Sequence, residues 1–272
     1  MSRVALAQMA STGILEENLK QAEQYLKMAK KDKAEMVVLP ENWLTLGFKE
    51  GEAFSFREPF GEGPIQQQLS AWAKQLEIWI VAGTLPLSIP ASKKVTASCL
   101  VYDDLGEIKA RYDKIHLFDV SVSEEESYQE SQCIQGGQTI TVFDSPIGRI
   151  GLSVCYDLRF PELFRALLEK GAEVLMVPSA FTVPTGKLHW EILNRVRAVE
   201  NLCYVVAVNQ VGKRYNGSGT YGHSMVVDPW GEIVGELQDQ PGLLFADINL
   251  NYLHQIRERF PAVQHRKLRG EE

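Results

Sequence analysis

The sequence predicts an α/β protein in which mixed sheets are covered by helices. Three observations lead there. Strand and helix patterns alternate along the chain, with no low-complexity linker and no short repeat. Three pairs of strand-like runs flank turn signals, at Asp103-Asp104-Leu105-Gly106, Ser145-Pro146-Ile147-Gly148 and Asp228-Pro229-Trp230-Gly231. The 272 residues, 45% of them hydrophobic, supply a substantial core and fit one domain over residues 1–272.

In chain order, the run Met1 to Met9 is strand-like. Residues 14–30 set Leu15, Leu19, Ala22, Leu26 and Ala29 on one helical face. A strand follows over 34–39. Pro64 opens a helix whose apolar side carries Ile65, Leu69, Trp72 and Leu76. A strand covers 78–85. Segments 95–102 and 107–112 form the first hairpin, and 139–143 with 149–154 the second, which ends in Cys155. A helix over 159–170 is stopped by Gly171 and leads to a strand over 173–178. A helix over 188–201 leads to a strand over 203–209. The third hairpin spans 223–237, and a strand over 243–248 runs into a last helix near 250–258. The polar segment from Phe260 to Arg269 lies on the surface or crosses to a neighbouring chain.

Composition excludes several classes of function. The net charge is −7, from 28 Lys and Arg against 35 Asp and Glu. No basic block suits a nucleic acid, and no basic amphipathic helix suits a membrane surface. No run approaches the roughly 18 apolar residues of a membrane span. The N-terminal run lacks the long apolar region of an export signal. The four cysteines, Cys99, Cys133, Cys155 and Cys203, are scattered, which fits a reducing cytoplasm. They form no CxxC pair, and the five histidines are dispersed, so neither a metal site nor a cofactor is expected.

Chemistry is signalled at three strand ends. Met36-Val37-Val38-Leu39-Pro40 runs into Glu41, Arg111-Tyr112-Asp113 into Lys114, and Ile150-Gly151-Leu152-Ser153-Val154 into Cys155. A cysteine alone on an apolar strand is more often a buried structural residue. A carboxylate or a lysine alone at a strand end is more often solvated. Together they form a set able to activate a thiol. Cys155 sits at a strand-to-helix turn like a nucleophile elbow, where a nearby helix N-terminus favours the thiolate. His116 is better suited to supporting the Lys114 loop through hydrogen bonds than to acting as a base.

With these motifs the chain resembles the nitrilase, or carbon-nitrogen hydrolase, superfamily. The resemblance runs to about His265 and rests on Leu-Pro-Glu-Asn at Glu41, Asp-Lys-Ile-His at Lys114 and Cys-Tyr-Asp-Leu-Arg-Phe-Pro-Glu from Cys155. It implies a four-layer α-β-β-α sandwich and subunits paired through helices into a homodimer or larger even homo-oligomer. It also implies that Glu41 is the base, Cys155 the nucleophile and Lys114 the partner of developing negative charge. The Tyr156 backbone N–H would be a second oxyanion donor. A further carboxylate maps to Glu130, sixteen residues after Lys114, within the acidic run that holds Glu124, Glu125 and Glu126. Either it orients Lys114 and the substrate, or it faces water with its neighbours. Gly136-Gly137 stands where the family has Pro-Gly.

Downstream motifs resemble the amidase branches that take small carboxylated amides. Tyr221 to Gly231, Asn249 to Leu253 and Gln264-His265-Arg266 are closest to the deaminated glutathione amidase branch. The implied reaction releases 2-oxoglutarate and cysteinylglycine. A rival is an ω-amidase acting on 2-oxoglutaramate; a rival of another class is a catalytically idle interaction protein. Arg159 suits a substrate carboxylate, with the Thr182 and Thr185 hydroxyls at the same end, or else an ion pair with Glu162 at a helix start. Trp190 and the apolar residues of the 188–201 helix suit core or dimer packing.

Overall fold

Alternation along the first strand sets the layering. In β1 (Ser2–Gln8), Val4 and Leu6 enter one hydrophobic core while Ala5 and Ala7 enter another, because successive strand residues face opposite sides. The computed structural model describes residues 1–49, 52–122 and 126–268. Its seven-stranded sheet runs β17 (Gly242–Ile248), β1, β2 (Met36–Val38), β3 (Trp79–Val81), β5 (Val95–Tyr102) and β4 (Leu85–Ser88), with β6 (Ile108–Asp113) also on β5. A six-stranded sheet runs β16 (Ile233–Glu236), β15 (Met225–Val227), β12 (Tyr204–Asn209), β11 (Val174–Ser179), β10 (Gly148–Leu152) and β9 (Val142–Ser145). The centre of each is parallel, β1-β2-β3 in one and β10-β11-β12 in the other.

Between the sheets pack Val4, Leu6, Val38 and Tyr112 from the first and Leu152, Met176 and Val206 from the second. Helices α1 (Leu15–Lys31) and α2 (Pro64–Leu76) cover the outer face of the first sheet with Ala22, Leu26, Leu69 and Trp72. Helices α3 (Pro161–Glu169) and α5 (Glu191–Asn201) cover the second with Leu163, Phe164, Leu167 and Ala198. The result is the four-layer α-β-β-α sandwich. Helix α6 (Leu250–Arg259), capped by the Asn249 side chain, follows β17.

Several boundaries differ from the sequence pattern, each for a local reason. The 78–85 strand breaks between β3 and β4 because Gly83 turns at φ 58°, where a Cβ would stand 1.9 Å from the Pro40 carbonyl oxygen. The helix expected from Arg159 starts at Pro161 instead; Cys155–Arg159 form a 3-10 turn. The helix expected from Leu188 starts earlier, as α4 (Val183–Thr185), and reaches α5 through a π-helical turn, Gly186–Trp190. Pro184 occupies the first turn of α4, where its missing N–H costs nothing. Two hairpins carry no sequence expectation: β7 (Asp119–Ser121) with β8 (Ser127–Gln129), and β13 (Val211–Lys213) with β14 (Gly219–Tyr221).

The described part of the C-terminal segment makes contacts with the rest of the chain. Phe260 meets Trp230 edge-on at 5.3 Å, and Arg266 pairs with Glu169 at 3.1 Å. Arg269, Glu124 and Glu125 fall outside the described residues. Among the described residues no helix is long and apolar enough to cross a membrane.

Candidate active site

Glu41 follows β2 in a turn that is clamped from several sides. Asn42 adopts φ 53°, and its N–H donates to Thr84 Oγ1 at 2.8 Å. Trp43 Nε1 donates to the Ala82 carbonyl at 2.8 Å, and Gln210 Nε2 to the Glu41 carbonyl at 3.2 Å. Gly83 makes this approach of two strand ends possible. The Glu41 carboxyl is thereby buried and aimed at Lys114, whose Nζ donates to Glu41 Oε1 at 2.8 Å.

Lys114 lies at the end of β6 with its side chain only 2% exposed. Its Nζ also donates to both oxygens of Glu130, at 3.0 and 2.9 Å. Glu130 is fixed in turn by the Phe118 N–H at 2.7 Å, so it is a partner of Lys114 and not a member of a solvated acidic loop. Burial opposes the charge on Lys114, yet Glu130, Glu41 and Cys155 outweigh it and hold the ammonium well above its ordinary pKa. Gly136 stands where the family has Pro, and a Cβ there would stand 2.9 Å from the Ile115 carbonyl oxygen; Gly137, the glycine that both share, is fixed beside Lys114. The Gly137 N–H donates to the Lys114 carbonyl at 2.9 Å, and a Cβ there would stand 2.2 Å from the Asp113 carbonyl oxygen.

Cys155 follows β10 with φ 46°, a left-handed conformation that costs a non-glycine residue energy and often marks a functional turn. Asp157 holds this turn, accepting from the Val154 N–H at 2.8 Å and from the Tyr112 hydroxyl at 2.7 Å. The sequence expectation that a helix N-terminus favours the thiolate is corrected here. Only a five-residue 3-10 turn follows Cys155, and α3 begins at Pro161. Burial and then Glu41 push the Cys155 thiol well above its ordinary pKa, against the opposing pull of Lys114 and of a backbone hydrogen bond from Ala180. The Cys155 side chain is hydrogen-bonded to the Glu41 carboxyl, and its surroundings favour the thiol over the thiolate. Cys99 and Cys203 are fully buried away from the site, with pKa values pushed by burial to about 12 and about 11.

Glu41, Lys114, Glu130, Cys155, Tyr156, Arg159, Thr182 and Thr185 all line one cavity of about 390 Å³. Arg159 is not paired with Glu162. Its Nη1 lies 3.3 Å from His189 Nδ1, and its guanidinium sits over the rings of Phe181 and Tyr156, 5.4 and 5.9 Å from their centroids. The Thr182 and Thr185 hydroxyls hydrogen-bond to each other at 2.9 Å. The π-turn that follows Thr185 is of a kind frequent at functional sites. Trp190 is buried core, its ring tilted against Phe181 at 4.9 Å and its Nε1 donating to the His223 carbonyl. Sequence reasoning missed Arg214, Tyr215 and Asn216, which reach the same cavity from the β13–β14 hairpin. The signal was present: Asn216-Gly217, a strong hairpin dipeptide, with Gly217 at φ 82°. Among the described residues no group of three or more His, Cys, Asp or Glu is placed to hold a metal ion.

A thiol, a carboxyl that contacts it and a buried ammonium form a group built to attack an acyl carbon and hold the charge that develops. The carbon-nitrogen hydrolase family model matches residues 3–258, and the chain belongs to that family. It is accordingly a hydrolase of amide carbon–nitrogen bonds. The deaminated glutathione amidase of Yersinia enterocolitica is 42% identical, over 98% of this chain and 93% of the relative. Among solved structures, the C. elegans NitFhit protein superposes with a TM-score of 0.91 at 37% identity, over 98% of this chain and 65% of that one. Saccharomyces cerevisiae Nit3, a member of branch 10 of the nitrilase superfamily, gives 0.87 at 31% identity, over 98% of this chain and 97% of that one.

Proposed function

We propose that this protein hydrolyses deaminated glutathione to 2-oxoglutarate and cysteinylglycine through a thioester on Cys155. The observation that carries the chemistry is Lys114, held by Glu41 and Glu130 at the mouth of the Cys155 turn. Supporting the substrate is the name shared by relatives about as similar as the one from Yersinia.

The steps follow from the contacts. Glu41 takes the thiol proton as Sγ attacks the amide carbon. Lys114 Nζ and the Tyr156 N–H stabilise the oxyanion. Glu41 returns the proton to the leaving nitrogen, the C–N bond breaks, and cysteinylglycine departs. Water then gives a proton to Glu41 and attacks the thioester. The C–S bond breaks, Glu41 reprotonates Sγ, and 2-oxoglutarate leaves. Arg159 holds the 2-oxo acid carboxylate, with Thr182 and Thr185 beside it.

The deciding measurement compares kcat/KM on deaminated glutathione and on 2-oxoglutaramate, with Cys155→Ala as blank. A large excess on the tripeptide analogue is expected. A preference for 2-oxoglutaramate would make the protein an ω-amidase. An unreactive Cys155 with no amide cleaved would favour an idle interaction protein.

We further propose one domain over residues 1–272 that acts as a homodimer or larger even assembly. Supporting the assembly is an exposed apolar stripe that runs from the π-turn onto α5: Leu188 and Ile192, 75% and 60% exposed, with Val196 and Val199. A second copy of the same face is its natural cover. Four free thiols, one of them the nucleophile, fit a reducing cytoplasm.

A further inference from the structure

Taking deaminated glutathione as the substrate, as proposed above, we infer that Arg214 binds the glycine carboxylate of the leaving cysteinylglycine. Arg214 thereby sets the preference for the tripeptide analogue over 2-oxoglutaramate. The cavity holds two arginines that pair with no carboxylate among the described residues: Arg159, whose polar partner is His189, and Arg214, whose polar partner is the Ala180 carbonyl. A chain of ring contacts links them. Arg214 lies over the Tyr128 ring, 5.2 Å from its centroid. Tyr128 packs on Phe118 at 5.1 Å, and Phe118 packs on Tyr156, also at 5.1 Å. Arg159 lies over Tyr156 at 5.9 Å. Two cations in one cavity suit a substrate that carries two anions. Deaminated glutathione is such a molecule, whereas 2-oxoglutaramate has one anion.

The position of the scissile bond fits this division. Ala180 makes a backbone hydrogen bond to the Cys155 sulfur, and its carbonyl accepts from Arg214 Nη2 at 2.8 Å. Arg214 is thus linked to Cys155 through a single intervening residue, within the reach of a dipeptidyl leaving group that spans about 7 Å when extended. Arg214 is also only partly satisfied. Its Nε is buried and has no hydrogen-bond partner, a state that costs free energy and that a bidentate carboxylate would relieve. The charge balance agrees, because Lys114 faces two carboxyls at the nucleophile, which leaves Arg214 and Arg159 as the cations available to the substrate.

The test measures kcat/KM of wild type and Arg214→Gln on deaminated glutathione, on its glycine-amide derivative and on 2-oxoglutaramate. The variant is expected to lower the ratio of deaminated glutathione to 2-oxoglutaramate about tenfold to a hundredfold. Amidation of the glycine should cost wild type a similar factor and cost the variant little more, because both changes remove the same contact. Equal losses on both acids, or losses from the variant and the amide that simply multiply, would overturn the role of Arg214 alone. Failure of wild type to cleave deaminated glutathione at all would overturn this role together with the substrate proposal.

Discussion

His116 and Asp157 are joined twice: the His116 N–H lies 3.0 Å, and its Nδ1 2.7 Å, from Asp157 Oδ1. The first residue belongs to the Lys114 loop and the second to the Cys155 turn, so this pair fixes Lys114 relative to Cys155. His116 also stacks on Phe160 at 3.7 Å, which closes the brace.

Asp157→Ala should therefore impair both stability and catalysis. It strands the Val154 and His116 N–H groups and the buried Tyr112 hydroxyl. Each stranded group costs about 1–3 kcal/mol. Chemical denaturation should give a clear loss of stability, and the folded fraction should show reduced kcat. A variant as stable and as active as wild type would remove the brace.

Glu41→Gln should slow amide turnover yet make the thiol easier to ionise. In the wild type Glu41 is the second cause, after burial, of the raised thiol pKa, while Lys114 acts in the opposite direction. Removing the carboxylate and keeping the ammonium lowers the pH at which Cys155 loses its proton. The pH profile of iodoacetamide alkylation should shift to lower pH, while kcat falls about 100-fold or more. An upward or absent shift would contradict the charge arrangement.

Arg159→Lys keeps the charge and loses the planar fork. KM should rise much more for carboxylated amides than for neutral ones, with kcat changed little. Equal effects on both kinds of amide would assign Arg159 to structure through its contacts with His189 and Phe181.

Gly137→Ala should displace the end of β6. The new Cβ would stand 2.2 Å from the Asp113 carbonyl oxygen and 2.8 Å from the Asp113 Cβ, so the backbone bearing Lys114 must move. The expected result is a drop in kcat greater than the rise in KM. An unchanged kcat would show that the loop absorbs the methyl elsewhere.

Ile192→Asp, paired with Val196→Asp, should abolish assembly. Both side chains lie on the exposed apolar stripe, away from the cavity that holds Cys155. Analytical ultracentrifugation should then give a monomer at a concentration where wild type associates. Two species of equal mass would remove this face from the interface.

The sequence by itself determined the alternation of helices and hairpins and the strand ends that hold the candidate site. Helical spacing in α1 and α2, turn signals such as Asp103-Asp104-Leu105-Gly106, and strand-like runs that end in Glu41, Lys114 and Cys155 are all local patterns, and local patterns are legible in one dimension. Tertiary structure decided the rest. Whether Glu130 faces water or Lys114 depends on how a loop folds back across sixteen residues of chain. The protonation of Cys155 depends on burial and on Glu41, and neither is visible at the turn itself. The gap in the strand at Gly83 follows from its contact with Pro40, and the place of Arg214 in the cavity follows from a hairpin that returns from far along the chain. Side-chain chemistry is written residue by residue; the field and the company each side chain keeps are set by segments that meet only when the two sheets close on each other.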